Sequence, residues 1–210
     1  MAETSDIVRW IRGLADRNAG QRTASAQQLY RAGADLCDAP LLRFSADPEF
    51  RGLVCTHPGG SAHTDSEAAV IVVGIAVPPE DFERIRAANG SPQLADVPPD
   101  QDAREFELHF EDHTALDILT ARDPGGAGAI ARYLQKFARG IQQVEICVRD
   151  VDRATEILRD RFGIEPVYPA TRPGAGGTRV NFFLVSTSPS QKVLIELVEV
   201  PVRSKSQGRL

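Results

Sequence analysis

From residue 140 to 201 the chain carries a regular succession of hydrophobic patterns. Residues 141–148 alternate apolar with polar or small side chains, the period-two pattern of a strand with one face on a core. Asp150 then stands at the N-cap position of a helix over 151–162, in which Val151, Ala154, Ile157, Leu158 and Phe162 recur at helical spacing and Gly163 supplies a left-handed exit. Two further strand-like runs, 178–185 and 192–200, flank the polar turn STSPSQ, and residues 165–168 read as a short extra strand. The order is β, α, β, β.

A weaker copy of that order comes earlier. Residues 70–77 form an apolar strand, Pro78 and Pro79 open a helix whose inner face holds Phe82, Ile85 and Ala88, and residues 91–104, with three prolines, read as a loop. Strands at 105–110 and 114–120 pair about the turn EDH, and a helix over 127–137 connects to the second copy. In the hairpin, Phe106, Leu108 and Phe110 alternate with Glu105, Glu107 and His109, while Leu116 and Ile118 alternate with Asp117. One set packs on helices; the other, including Glu107, His109 and Asp117, faces either a concavity or bulk water.

Ahead of both copies, residues 5–14 predict a helix with Ile7, Val8, Trp10, Ile11 and Leu14 inward, and residues 23–36 predict another, weakened at its end by Gly33. Residues 39–54, with Pro40 and Pro48, hold a third short helix or an extended connector. No catalytic motif occurs there, and the expectation is a packing extension or a contact in a homodimer. The polar stretch CTHPGGSAHTDSE, 55–67, reads as a linker; its Cys55, His57 and His63 match no zinc-finger spacing and are expected to be solvated.

Composition narrows the function classes. Hydrophobic residues make up 42% of the 210, charged residues 25%, and the formal net charge is -5, which speaks against a chain built to coat nucleic acid or an anionic membrane. No run approaches the roughly 20 apolar residues of a membrane helix, and MAETSDIVRW lacks the basic and apolar blocks of a secretory signal. Cys37, Cys55 and Cys147, odd in number and widely spaced, suit reduced thiols better than a disulfide framework, so a cytoplasmic protein is expected.

The pieces GIQQVEICVRDVDRATEILRDRFG, GTRVNFFLV and KVLIELVE resemble the second half of vicinal oxygen chelate proteins, most of all the methylmalonyl-CoA epimerase family. The resemblance implies an α+β fold in which two βαβββ modules form a curved sheet around a cleft, preceded by a small helical extension. Its divisions would be an extension over 1–54, a linker over 55–67, the two-module domain over 68–201 (module one 68–122, connector 123–139, module two 140–201), and a tail over 202–210.

In that superfamily metal ligands stand in the first and last strand of each module. The matching positions here hold Val72, Asp117, Gln143 and Glu196, a set without histidine in which Val72 has no donor. Three oxygen donors would suit a weakly held Mg²⁺, Mn²⁺ or Co²⁺ rather than zinc or iron, and no tightly bound cofactor is expected. The resemblance also implies an isomerase or lyase that abstracts a proton next to a carbonyl, with Glu107 and Glu196 as candidate catalytic bases and His109, Asn181 and Arg179 as candidate substrate-binding residues. Without a metal, Arg179 or Arg104 would have to hold the enolate oxygen. The alternative is a non-catalytic relative that binds a small molecule or a partner in the same cleft.

Overall fold

The computed structural model describes residues 3–57, 69–188 and 191–200. His63, most of the stretch 55–67, two residues of the STSPSQ turn and the tail over 202–210 lie outside them.

Helix α1 (Thr4–Gly13) buries Ile11, and α2 (Ala19–Ser45) starts at Asn18, whose side chain accepts from the backbone N–H of Gly20 and Gln21. This second helix is nearly twice as long as the expected 23–36, because Pro40 does not end it. Proline removes one helical hydrogen bond, but the inward row Leu29, Gly33, Cys37, Pro40 and Phe44 stays buried through that point, and this continuous packing outweighs the loss. Gly33 is a contact, not a weak end. A Cβ there would stand 2.5 Å from both methyls of Val73, so glycine lets the helix lie directly on the sheet. Helix α3 (Pro48–Leu53) follows, capped by Asp47.

Strand β1 (Ile71–Ala76), α4 (Pro79–Ala88), β2 (Ala103–His109) and β3 (Ala115–Ala121) make up the first module, and α5 (Ala129–Phe137) leads into the second. That module contains β4 (Gly140–Cys147), α6 (Val151–Phe162), β5 (Arg172–Pro173), β6 (Arg179–Ser188) and β7 (Gln191–Glu199). Asp150 caps α6 by accepting from Arg153 N at 2.9 Å, and Gly163 ends it at φ 65°, as the pattern predicted.

Among the described residues seven strands join one mixed sheet in the order β2-β3-β1-β4-β7-β6-β5. Antiparallel β1 and β4 form the seam between modules, while β1–β3 and β4–β7 are parallel. The second module shows the full four-strand plan and the first three strands of it. Residues 91–102 replace the fourth, because Pro92, Pro98 and Pro99 have no N–H for a ladder; Ala95 N still donates to Glu105 O at 3.0 Å. The short strand expected at 165–168 is a single bridge, Pro166 to Phe183.

Helices α1, α2, α3, α4 and α6 cover one face of this curved sheet, while α5 packs with Ala76, Ala103 and Leu119 on the other. Around the second module, Phe44 of α2, Phe50 of α3 and Ile157 and Leu158 of α6 pack with Val144, Phe183 and Ile195. Around the first, Ile11, Leu29, Phe82 and Ile85 pack with Val73, Phe106 and Leu116. Helix α2 contributes to both clusters, so it spans the seam. Among the described residues no helix is long and apolar enough to cross a membrane.

Candidate functional site

The other face of the sheet encloses a cavity of about 560 Å³. Alternation decides what enters it. On β2, Ala103, Glu105 and Glu107 point in while Arg104, Phe106 and Leu108 turn towards the helices; on β4, Gln143, Glu145 and Cys147 point in. Asp117 and Leu119 come from β3, Val72 from β1, Phe182 from β6, and Leu194, Glu196 and Val198 from β7. One end of the cavity is lined by Gly128, Ile130 and Arg132 at the start of α5 together with Asp100 and Gln101.

Five carboxylates on the strands, Glu105, Glu107, Asp117, Glu145 and Glu196, therefore face this cavity, with Asp100 at its end. Register sets them side by side: Glu107 pairs with Asp117 across β2–β3, and Glu145 with Glu196 across β4–β7. Gln143 Nε2 donates to Glu196 at 2.5 Å and reaches Glu145 at 3.4 Å. Gly74 makes room for that amide, since a Cβ at this position would come within 2.5 Å of Gln143 Cγ. Asp117 is 5% exposed, and its Oδ1 is buried without a hydrogen-bond partner.

Burial and the charge of neighbouring carboxylates act in the same direction on Glu105, Asp117, Glu145 and Glu196. Desolvation, then the charge of Glu107, pushes Glu105 up to about 7. Desolvation, then Glu105, pushes Glu145 up to about 8 against the opposing bond from Gln143. Asp117 and Glu196 are raised well above the carboxylate range, first by burial and then by the neighbouring carboxylates. Burial thus favours the protonated form of Asp117, Glu145 and Glu196, and Glu105, at about 7, changes form near neutral pH.

The other candidate residues lie elsewhere. Asn181 is fully buried on the helix-covered face, because the β6 residue opposite Glu196 is Phe182; its amide donates to Thr155 at 3.4 Å and its oxygen accepts from Phe182 N. Its polar atoms are therefore partnered within the core, away from the cavity. Arg179 is on the same side, held by Asp152 and by Glu199 at 3.2 Å, and Arg104 pairs with Glu83 at 2.7 Å over the Phe82 ring. Neither guanidinium reaches the cavity. His109 stands exposed at the end of β2, 2.7 Å from Glu107. His57, expected to be solvated, stacks on His113 at 4.2 Å with its Nε2 buried. The strand alternation already contained Glu145, which has the parity of Gln143, and it placed Glu105 on the polar row without giving it a role.

A chelated metal does not fit this arrangement. Val72 offers methyl groups at one of the four superfamily positions, Gln143 turns its amide nitrogen to Glu196, and among the described residues no three His, Cys, Asp or Glu side chains are grouped to hold an ion. What the five carboxyls can do instead is donate hydrogen bonds when protonated and accept a proton when ionised.

No family model and no curated protein matches the sequence. Among solved structures, a methylmalonyl-CoA epimerase from Mycobacterium tuberculosis is 30% identical over 66% of this chain and 95% of its own, with a TM-score of 0.52. A hypothetical protein from Bacillus halodurans C-125 is 21% identical over 64% of this chain and 95% of its own, also at 0.52, and shares the fold. Paired modules, a curved sheet joined at β1–β4, a cavity on its open face and this similarity to an epimerase place the chain in the vicinal oxygen chelate superfamily.

Proposed function

We propose that the protein is a glyoxalase-like isomerase or lyase that abstracts a proton next to a carbonyl without a resident metal. The observation that carries this reading is the carboxyl cluster on one side of the cavity, in which burial pushes Glu105 to about 7 and raises Asp117 and Glu196 well above their ordinary values. Proton abstraction needs a base and a partner for the developing enolate oxygen. Ionised Glu105 is the base: it takes the proton from the carbon next to the carbonyl. Protonated Asp117 or Glu196 donates to the carbonyl oxygen and strengthens that bond as negative charge collects there, since a carboxylic acid kept neutral by burial is a competent donor. Return of the proton from Glu105 to a neighbouring carbon completes an isomerisation. Glu107 acts through its charge on Glu105, and Gln143 holds Glu196 in place.

The charge of the cavity narrows the substrate. Of the cationic residues described in its lining, Arg172 is paired with Asp100 and lies 4.3 Å from the Tyr168 ring, which leaves Arg132 at the α5 end as the cation set against the charges of Glu107 and ionised Glu105. A substrate with its own carboxylate beside the reacting carbon would meet repulsion, so an uncharged carbonyl compound with an apolar body, set against Phe182, Leu194 and Val198, is favoured.

Solvent deuterium exchange tests the reading. Neutral ketones, aldehydes and thioesters, with methylmalonyl-CoA as the anionic comparison, would be incubated in D₂O with wild type and with Glu105→Gln. The expected result is exchange into one or more neutral compounds, slowed on the order of 100-fold in the variant and unchanged by EDTA. If wild type exchanges no faster than a Glu105→Gln, Glu196→Gln double variant on every compound, the proton-abstraction reading fails and the cavity is that of a binding protein.

A further inference from the structure

Cys55 and Cys147 are 92 positions apart in sequence, yet their Sγ atoms lie 2.7 Å from each other. The stretch after α3 joins the end of β4 through an antiparallel bridge between Val54 and Val148, and Cys55 N donates to Cys147 O at 2.9 Å. Residues facing each other in such a ladder have Cα atoms about 4.5–5.5 Å apart, within the span that a disulfide bridges. An S–S bond of about 2.05 Å would require the two sulfurs to approach by only about 0.7 Å. Both thiols are free and half-buried, and Cys147 lines the cavity, two residues along β4 from Glu145 on the same face. Cys37 is different: it is 1% exposed in the core around the second module, and burial pushes its thiol up to about 12.

We propose that Cys55 and Cys147 form a redox-active pair that reacts with low-molecular-weight disulfides and closes a reversible intramolecular disulfide at the edge of the cavity. Cys147 donates its S–H to Cys55 Sγ, and burial together with Cys55 pushes the Cys147 thiol up to about 12, so Cys55 is the first nucleophile. Its thiolate bonds to one sulfur of the small disulfide, and the other sulfur leaves as a thiolate and takes up a proton. Cys147, deprotonated in its turn, then attacks Cys55 Sγ and expels the second thiol. Two protein thiols are oxidised and one small disulfide is reduced to two thiols, with the two cysteine protons passing to the products. The crosslink would tie the last part of the N-terminal segment to β4 and remove the thiol beside Glu145 from the cavity.

The test is incubation of the folded full chain with oxidised glutathione, followed by alkylation of remaining thiols, intact-mass measurement and peptide mapping. The expected product lacks two hydrogens, carries one alkyl group on Cys37 after denaturation, yields a crosslinked Cys55–Cys147 peptide, and returns to three free thiols with dithiothreitol. Because the tie closes a long loop, Tm should rise by about 5 °C or more in the oxidised form, and Cys55→Ser should give neither the mass loss nor the rise. An unchanged wild-type mass, a lasting single glutathione adduct, or a crosslink that includes Cys37 or joins two chains would overturn the proposal.

Discussion

Gly74 shows how much of the cavity rests on a missing methyl group. A β-carbon there would meet Gln143 Cγ at 2.5 Å and Leu119 Cδ1 at 3.2 Å, on the strand at the seam between the modules. Gly74→Ala is therefore expected to displace the Gln143 amide from Glu196 and to destabilise the protein by about 1–3 kcal/mol, measured as a lower urea midpoint at unchanged slope. An unchanged midpoint would mean that Gln143 moves aside freely. Side-chain parity made part of this site readable from the sequence: Asp117, Gln143 and Glu196 face the cavity together, as the superfamily resemblance implied. Asn181 was misjudged because parity along β6 is defined only by its register with β7, and a run of mixed residues such as RVNFF does not reveal that register. The closeness of Cys55 to Cys147 left no local signal at all, since it arises from pairing across 92 residues.

Among the elements, the two copies of the β, α, β, β order were legible because each has its own period, cap and stop. Helix α2 was legible only in its first half, since proline is a local stop signal and the packing that overrides it is tertiary. That packing can be measured. Phe44, fully buried between Phe50 and Phe162 with ring centroids 5.6 and 5.4 Å away, should cost about 3–5 kcal/mol when replaced by alanine, whereas Leu42, 77% exposed on the same helix, should cost less than about 0.5 kcal/mol. Equal effects in chemical denaturation would show that the helix beyond Pro40 is not anchored as described.

For the molecule as a whole, the carboxyl cluster makes stability depend on pH in an unusual direction. Glu105 and Glu145 rise from an ordinary value of 4.5 to about 7 and about 8 in the folded state, so between roughly pH 4.5 and 8 the native protein binds more protons than the unfolded chain. Their contribution is complete below that window and is lost as pH rises through it. Surface acids act oppositely: Asp47, Glu49, Asp152 and Asp160, held low chiefly by arginine partners, lose their contribution as pH falls below the ordinary carboxylate range. Tm is thus expected to peak near pH 5 and to decline towards pH 8.5, and a Glu105→Gln, Glu145→Gln variant should decline less; a wild-type profile flat from pH 5 to 8.5 would contradict the description of the cluster. The outer margins of the sheet have a consequence of a different kind. An open sheet normally presents two rows of free N–H and C=O groups on which a foreign strand can add. Here the margin strand β5 is two residues long and includes Pro173, and the free side of β2 is approached by the proline-rich stretch that donates Ala95 N to Glu105 O. Strand-by-strand growth into fibres has little to start from at either margin, so the fold can keep one broad face of its sheet open to ligands without becoming a template for aggregation.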